Sequence, residues 1–333
     1  MNSKIKILLR NNFKILLGIS KKALVNSRIM VEQNLAKNQF FVLLDMFFSF
    51  LIFGADASNY RTFEFYKLNF RGRNAFITRI KNTKFRLRTS EAAFDLFYNK
   101  SLFNLRYSAF IKRNWVSTRN NTSLEILDFI NKYKTVIVKP DTGTWGIGIY
   151  KLNYLDKDKV DLLIGSLNNG KEYVIEEIVE NIESLKLLNP TSLNTLRVIT
   201  MVDRLGHTHI IKSLLRIGAT NSCVDNTSIG GLICSINEKF GIIDSVGKSL
   251  AGPSYFLHPI SQKQLLGLVI PYWEKLENYV EEITKVEPKA RYVGWDIAIT
   301  NDGFELIEGN LSPGELMQIS DMVGKWKLIN SYV

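Results

Sequence analysis

Residues 294–310 read GWDIAITNDGFELIEGN. Two largely apolar, alternating runs flank Asn301-Asp302-Gly303, and an Asp-Gly pair readily takes the positive φ that a tight hairpin turn needs. The stretch predicts a β-hairpin with Asp296 on its first strand and Glu308 and Asn310 on its second. Residues two apart on a strand share a face, so Glu308 and Asn310 point the same way, and cross-strand pairing can bring Asp296 beside them. Two carboxylates held together among Ile, Ala, Phe and Leu are costly without a cation. An oxygen-only donor set with few carboxylates suits Mg²⁺ shared with phosphates. The alternative is a surface hairpin with solvated acids.

A second stretch, residues 134–150, reads KTVIVKPDTGTWGIGIY. Val136-Ile137-Val138 predicts a strand that delivers Lys139 and Pro140. A loop follows with Gly143, Gly146 and Gly148, and Ile149-Tyr150 begins a return strand. Glycines let backbone N–H groups approach an anion closely, and the lysine adds a point charge. Many hairpins carry such a turn, so the loop alone does not identify a phosphate site. No Gly-Lys-Ser/Thr opens a helix here, which excludes a Walker loop, and the stretch is not a dinucleotide fingerprint either.

Taken together, the two stretches resemble the ATP-grasp superfamily, in which a strand ending in Lys-Pro precedes a glycine loop and an Asp…Glu-x-Asn set binds magnesium. Further segments carry the likeness. YVIEEIVE (173–180) resembles the strand and linker that hold adenine, NPTSLNTLRVI (189–199) the segment bearing a phosphate-side arginine, and residues 216–231 run from Arg216 through Asp225-Asn226 to Gly230-Gly231. The order NTLR, VDN…GG, HP, GWDIA, EGN is similar to the sugar-transfer-associated branch, found with polysaccharide biosynthesis, over roughly residues 40–320. Two features depart from relatives. Trp145 and Ile147 stand in the glycine loop, and Gly294 stands where D-alanine–D-alanine ligases place an arginine.

The resemblance implies an α+β ATP-grasp fold, with two lobes around the nucleotide, preceded by a basic, mainly helical N-terminal region. The expected division is residues 1–95 for that region, then an ATP-grasp domain over 96–333, with lobe one at about 96–175 and lobe two at about 176–333. The implied cofactors are ATP and Mg²⁺. Lys139, Arg197 and Arg216 are the expected catalytic cations, and Asp296, Glu308 and Asn310 the metal ligands. The nucleotide is expected to meet Lys100, Lys139, Gly143, Gly146, Glu176, Glu177, Ile178, Glu180, Lys212 and Asn226. Lys100 precedes a helical apolar pattern; its alternative is a solvated surface lysine. Lys212 and Arg216 share a strand face, whose alternative is an ordinary polar face. The implied activity is an ATP-dependent carboxylate–amine ligase that works through an acyl phosphate. Its expected partners are a carboxylate-bearing sugar or glycan intermediate, such as a uronic acid, and an amine or amino acid. The alternatives are a phosphotransferase and a non-catalytic glycan- or membrane-binding protein.

At 333 residues the chain can hold two or three subdomains. Two cysteines and three histidines argue against a disulfide framework and against a multi-histidine metal site. The composition and the lack of an evident signal peptide predict a cytoplasmic protein, with a peripheral position at the inner face of the membrane as the alternative. Charge is uneven: residues 1–120 hold 22 Lys/Arg against 6 Asp/Glu, whereas residues 121–333 hold 21 against 26. The basic third could meet an acidic glycan through Arg71, Arg73 and Arg79, meet an anionic membrane surface, or be merely solvated. No helix-turn-helix, zinc or RNA-binding signature accompanies the charge, so nucleic acid is not an expected partner. FFVLLDMFFSFLIFG (40–54) is too short to span a bilayer and is interrupted by Asp45. It predicts a buried helix, with a monotopic membrane contact as the alternative.

Overall fold

The strands Tyr292–Thr300 and Gly303–Asn310 pair antiparallel across Asn301-Asp302, with Gly303 at φ +92°, as the Asp-Gly turn requires. The structure, a computed structural model, describes residues 21–143, 146–167, 170–219, 230–249, 253–313 and 316–333. Two compact units result: Met1–Phe85 with Gly314–Ser331, and Arg86–Pro313 with Tyr332–Val333.

The first unit is helical. Helix α1 covers 21–32, α2 Gln39–Phe53, α3 Ala57–Thr62 and α4 Phe70–Ala75; α5, Arg79–Thr89, crosses the boundary between units. Side-chain caps start three of them. Asn38 accepts from Phe40 N, Asp56 from Asn59 N and Asn69 from Gly72 N, each satisfying an amide that the helix leaves without a partner. Gly54 ends α2 at φ +67°, and a Cβ there would lie 2.7 Å from Ile80 Cβ, so both conformation and space demand glycine. Aromatic rings fill the core, with Phe63 and Phe76 stacked at 4.6 Å.

In this unit the apolar run 40–54 does form a helix, but only one side of α2 is buried (Val42, Met46, Ser49 and Phe53). The expectation of a wholly buried helix is therefore corrected. Arg73 is paired inside this unit. It donates to both Asp45 oxygens, at 2.5 and 2.7 Å, and to the carbonyls of Phe65 and Leu68. It ties α4 to Asp45 of α2 within the unit.

The second unit begins with α6 (Phe94–Tyr98) and α7 (Lys100–Arg106). Its first sheet has four antiparallel strands, β1 (Trp115–Ser117), β2 (Thr135–Pro140), β3 (Tyr150–Asn153) and β4 (Tyr173–Glu177), in the order β1-β4-β2-β3. Helices α8 (Ser123–Tyr133) and α9 (Lys157–Leu167) cover one side, where Ile126, Ile130, Val160 and Leu163 meet Val136, Val138, Leu152 and Ile175. A reciprocal Thr122–Glu125 capping box starts α8.

After α10 (Glu183–Lys186) comes an eight-stranded sheet: β5 (Thr195–Val202), β6 (Thr208–Ile217), β7 (Leu232–Asn237), β8 (Ile242–Ile243), β9 (Gly247–Lys248), β10 (Ser254–Tyr255), β11 (Tyr292–Thr300) and β12 (Gly303–Asn310). The path is β10-β9-β7-β6-β5-β11-β12, with β8 on β7. Alternation divides the sheet into two faces. Leu196, Val198, Leu215, Trp295 and Ile297 form a core with Phe103 and Tyr107 from the α7 segment and with Val280 and Ile283 of α11 (Leu276–Val286). The opposite face carries Arg197, Lys212, Arg216, Asp296 and Glu308, as the register Asp296↔Arg197, Arg197↔Leu214 and Asp296↔Glu308 requires.

Finally α12 (Leu316–Ile319) and α13 (Trp326–Ser331) belong to the first unit. Gln318 accepts from Ile77 N at 2.8 Å and donates to Ile77 O at 3.0 Å, and the Trp326 ring lies 5.0 Å from that of Phe85. The architecture is α+β with two sheets, as expected. The compact units divide at Phe85, and the C-terminal helices join the N-terminal ones. β4 places Glu176 and Glu177 in the first sheet.

Candidate active site

The site is built from β2, its glycine loop, α7 and β12, all within the second unit. β2 carries Lys139 on the side opposite Val136 and Val138, which face the core. Its Nζ lies 2.5 Å from Glu176 Oε2 on β4. Glu176 is buried, and its Oε1 also accepts from Arg113 at 2.9 Å and Asn104 at 3.1 Å. Burial alone would raise the pKa of this carboxyl; Arg113 and Lys139 overcome that and hold it well below the usual carboxylate range. Arg113 in turn donates to Glu305 at 2.8 Å and to the carbonyls of Leu306 and Ile307. One guanidinium thus ties β4 of the first sheet to β12 of the second.

Lys100 opens α7 and donates to Gly143 O at 3.1 Å. Burial pulls its pKa down, while the charge of Glu308 opposes that shift. Beside it, Asp141 accepts from Ser101 N and Ser101 Oγ, which fixes the root of the glycine loop to the start of α7. In the loop, Gly143, Gly146 and Gly148 have φ of +127°, +72° and +79°, and a Cβ on Gly148 would meet Pro140 Cγ at 2.9 Å. The loop conformation is one that only glycine adopts without strain.

On β12, Ile307 is an extra residue: Asp296 pairs with Glu308, but Ile297 pairs with Leu306. This bulge re-aims the end of the strand, so that Ile307, Glu308, Gly309 and Asn310 all border the same pocket. Asn310 donates to Glu308 Oε1 at 3.0 Å, and each orients the other. Behind them Asp296 is buried and doubly paired. Arg197 reaches its two oxygens at 2.5 and 2.8 Å, and Arg216 reaches Oδ2 at 2.8 Å. Burial would raise the Asp296 pKa, but the two guanidiniums bring it down to about 2.

An open pocket therefore gathers Lys100, Lys139, Gly143, Gly146, Glu176, Glu308 and Asn310. For Mg²⁺, Glu308 and Asn310 offer hard oxygen donors in the pocket, and Asp296 stands opposite Glu308, so the donor chemistry fits. The Asp296 oxygens, however, are engaged by arginines. The remaining expected residues lie elsewhere. Glu177 accepts from Asn114, Ile178 is half-buried just past β4, and Glu180 is exposed and paired with Lys186. Lys212 is buried on the face of Arg216 and donates to Ile236 O at 3.5 Å. Asn226 lies outside the described residues.

Arg113 and Asn104 escaped the reading of the sequence. Arg113 adjoins Lys112, whose ammonium donates to Asp302 O at an exposed position, and nothing in their spacing separates the two cations. The usable signal is Glu305. An acid between Phe304 and Leu306 on an apolar strand needs a buried cation somewhere.

A lysine-bearing sheet with a glycine loop, facing a sheet with oxygen donors, defines an ATP-grasp protein. The chain belongs to the sugar-transfer associated ATP-grasp family, whose profile matches residues 106–331. ATP-grasp enzymes work with ATP and Mg²⁺. Among solved structures, the chain is similar to D-alanine–D-alanine ligase from Helicobacter pylori, with 15% identity, 74% of this chain and 64% of that chain covered, and a TM-score of 0.45. It is also similar to D-alanyl-alanine synthetase A from Vibrio cholerae, with 15% identity, 72% and 61% covered, and a TM-score of 0.43. A third is the ATP-grasp ligase PsnB complexed with a precursor variant, Mg and ADP, with 14% identity, 72% and 59% covered, and a TM-score of 0.44. The chain thus spans about six-tenths of the length of these structures. No curated protein matches it.

Proposed function

We propose that this protein is an ATP-dependent carboxylate–amine ligase that joins an amino acid or another amine to a uronic-acid-type sugar in surface-polysaccharide synthesis. The supporting observation is the single pocket in which Lys100, Lys139 and the glycine loop face Glu308 and Asn310. In this reading the ATP phosphates lie between them, with adenine against the linker after Glu176, near Glu177 and Ile178, and Glu180 further along it. Lys100 and Lys139 balance phosphate charge, and loop N–H groups from Gly143 and Gly146 approach the phosphates. Mg²⁺, held by Glu308 and Asn310 with Asp296 behind, supplies charge neutralisation at the phosphate oxygens. Arg197 and Arg216 are positioned by Asp296 on the same sheet face, where they orient the transferring phosphoryl group or the substrate carboxylate; Lys212 extends that side.

A carboxylate oxygen of the sugar attacks the γ-phosphorus, and the bond to ADP breaks. The amine nitrogen then attacks the acyl carbon, phosphate leaves with the bonding pair, and the nitrogen loses a proton. Positioning and electrostatics do the work, so no covalent enzyme nucleophile is needed. Cys234 is no competitor: burial in the core pushes its thiol up to about 12.

The test is hydroxylamine trapping. Incubation with ATP, Mg²⁺ and a uronic acid should release ADP and yield the hydroxamate of the sugar. A stable phosphorylated hydroxyl with no hydroxamate would instead identify a phosphotransferase. ATP binding without any turnover across a panel of sugar acids and amines would count against the ligase.

A further inference from the structure

Helix α2 is built inside out. Its one charged residue, Asp45, lies off the outward stripe and is half-buried, accepting from Arg73 and, at 2.6 Å, from Tyr60, while Ser49 is buried. The outward side carries Phe40, Phe41, Leu44, Phe47, Phe48 and Leu51, each 42–66% exposed. Their spacing follows the helical repeat, so they form one stripe about 17 Å long with no polar side chain on it. A soluble helix normally shows the reverse pattern. Contiguous exposed apolar surface of this kind marks a binding face. At the start of the stripe, Gln39 donates to Leu24 O at 3.4 Å, which brings up α1 with its exposed Leu24 and Val25. Lys21, Lys22, Arg28 and Lys37, all exposed, stand around that end.

We propose that the α2 stripe docks the protein on an anionic lipid bilayer, lying in the plane of the interface. Length favours lying over crossing. Fifteen residues of helix reach about 22 Å against a hydrocarbon core of about 30 Å, and no helix among the described residues is long and apolar enough to cross a membrane. Charge selects the occupant. The helical unit holds 17 Lys/Arg against 6 Asp/Glu, whereas the rest of the chain holds 26 against 26, so the whole +11 resides on the unit that bears the stripe. A second copy would bring the same surplus to the contact and repel it. Anionic headgroups bring the complement, and phenylalanines enter the boundary between headgroups and acyl chains. This inference does not depend on the reaction proposed above.

The experiment is sedimentation of the full chain with phosphatidylcholine vesicles, with and without roughly one-third phosphatidylglycerol. Binding should appear on the anionic vesicles and weaken strongly on neutral ones. The combined variant Phe41→Gln, Phe48→Gln, Leu51→Gln should lose more than about tenfold in partitioning, since three apolar side chains no longer enter the interface. Its helix content by circular dichroism and its thermal transition should be unchanged, which shows that the helical unit still folds. A Phe48→Trp variant should give an emission blue shift on anionic vesicles. No vesicle binding, equal binding by the triple variant, or no preference for anionic lipid would each overturn the proposal. So would a concentration-dependent dimer that the triple variant abolishes, because a second copy would then cover the stripe.

Discussion

The two units handle charge in opposite ways. In the sheet unit, Lys/Arg and Asp/Glu balance at 26 each, and around the pocket the groups are buried in pairs: Arg113 with Glu176 and Glu305, Lys139 with Glu176, and Arg197 and Arg216 with Asp296. In the helical unit, the charge is in surplus and most of it is exposed, and the one ion pair beneath α2 leaves that helix free to turn phenylalanines outward. Paired and desolvated charge is rigid and short-ranged, suited to holding phosphates at fixed positions. Unpaired surface charge is a long-range field, screened by salt and suited to attracting an anionic surface. Composition averages the two into a single basic protein.

The largest expected effect comes from breaking the buried side of this contrast. Arg113→Ala leaves Glu176 and Glu305 buried without their shared cation and should destabilise the fold by about 3–5 kcal/mol. Urea denaturation measures it, and a loss below about 1 kcal/mol would mean that the pairs are not desolvated as described. Next, Glu308→Gln should keep the fold and lower ATP turnover by roughly a hundredfold or more, as loss of an electrostatic contact to the transferring group predicts. Unchanged Mg²⁺-dependent ADP release would remove Glu308 from the site.

The third effect is a pH dependence. Asp296 titrates at about 2 when folded, against an ordinary 3.8. A depressed carboxyl pKa stabilises the fold above the ordinary value, and the contribution disappears as pH falls through the folded value. About 2 kcal/mol should therefore be lost between roughly pH 4 and pH 2 through this group. Asp296→Asn should show a shallower acid slope across that window, and an identical slope would assign acid unfolding to other carboxylates. On the alkaline side, burial lowers the Lys100 pKa, so nucleotide affinity should begin to fall at a pH where an ordinary lysine is still charged. Lys100→Arg should hold its affinity through that range, and calorimetric titration at rising pH would reveal whether it does. The smallest effect belongs to the exposed Lys186–Glu180 pair: Lys186→Ala should leave Tm unchanged within error, because screened surface pairs contribute little. A clear drop in Tm would blur the line between the two kinds of charge.

Several elements were legible in the sequence because their causes are local. The hairpin at 301–303 follows from Asp-Gly, the Lys139 strand and its loop from β-branched residues followed by glycines, and the shared face of Glu308 and Asn310 from the two-residue repeat of a strand. Three features were not legible, because distant segments decide them. The bulge at Ile307 appears only in the pairing of β12 with β11, and it sets what Glu308 faces. Arg113 and Lys112 are indistinguishable neighbours until the fold buries one against Glu176 and Glu305, residues 63 and 192 positions away. The run 40–54 is a helix by composition, but which side faces inward depends on partners such as Arg73 and Tyr60, which hold Asp45 at the flank of the buried side and leave the phenylalanines outside. The sequence by itself determined the strands, turns and ligand types, whose physical causes lie within a few residues. Only the tertiary structure decided which charges are paired and which apolar face is left uncovered, because pairing and burial depend on what the rest of the chain brings alongside.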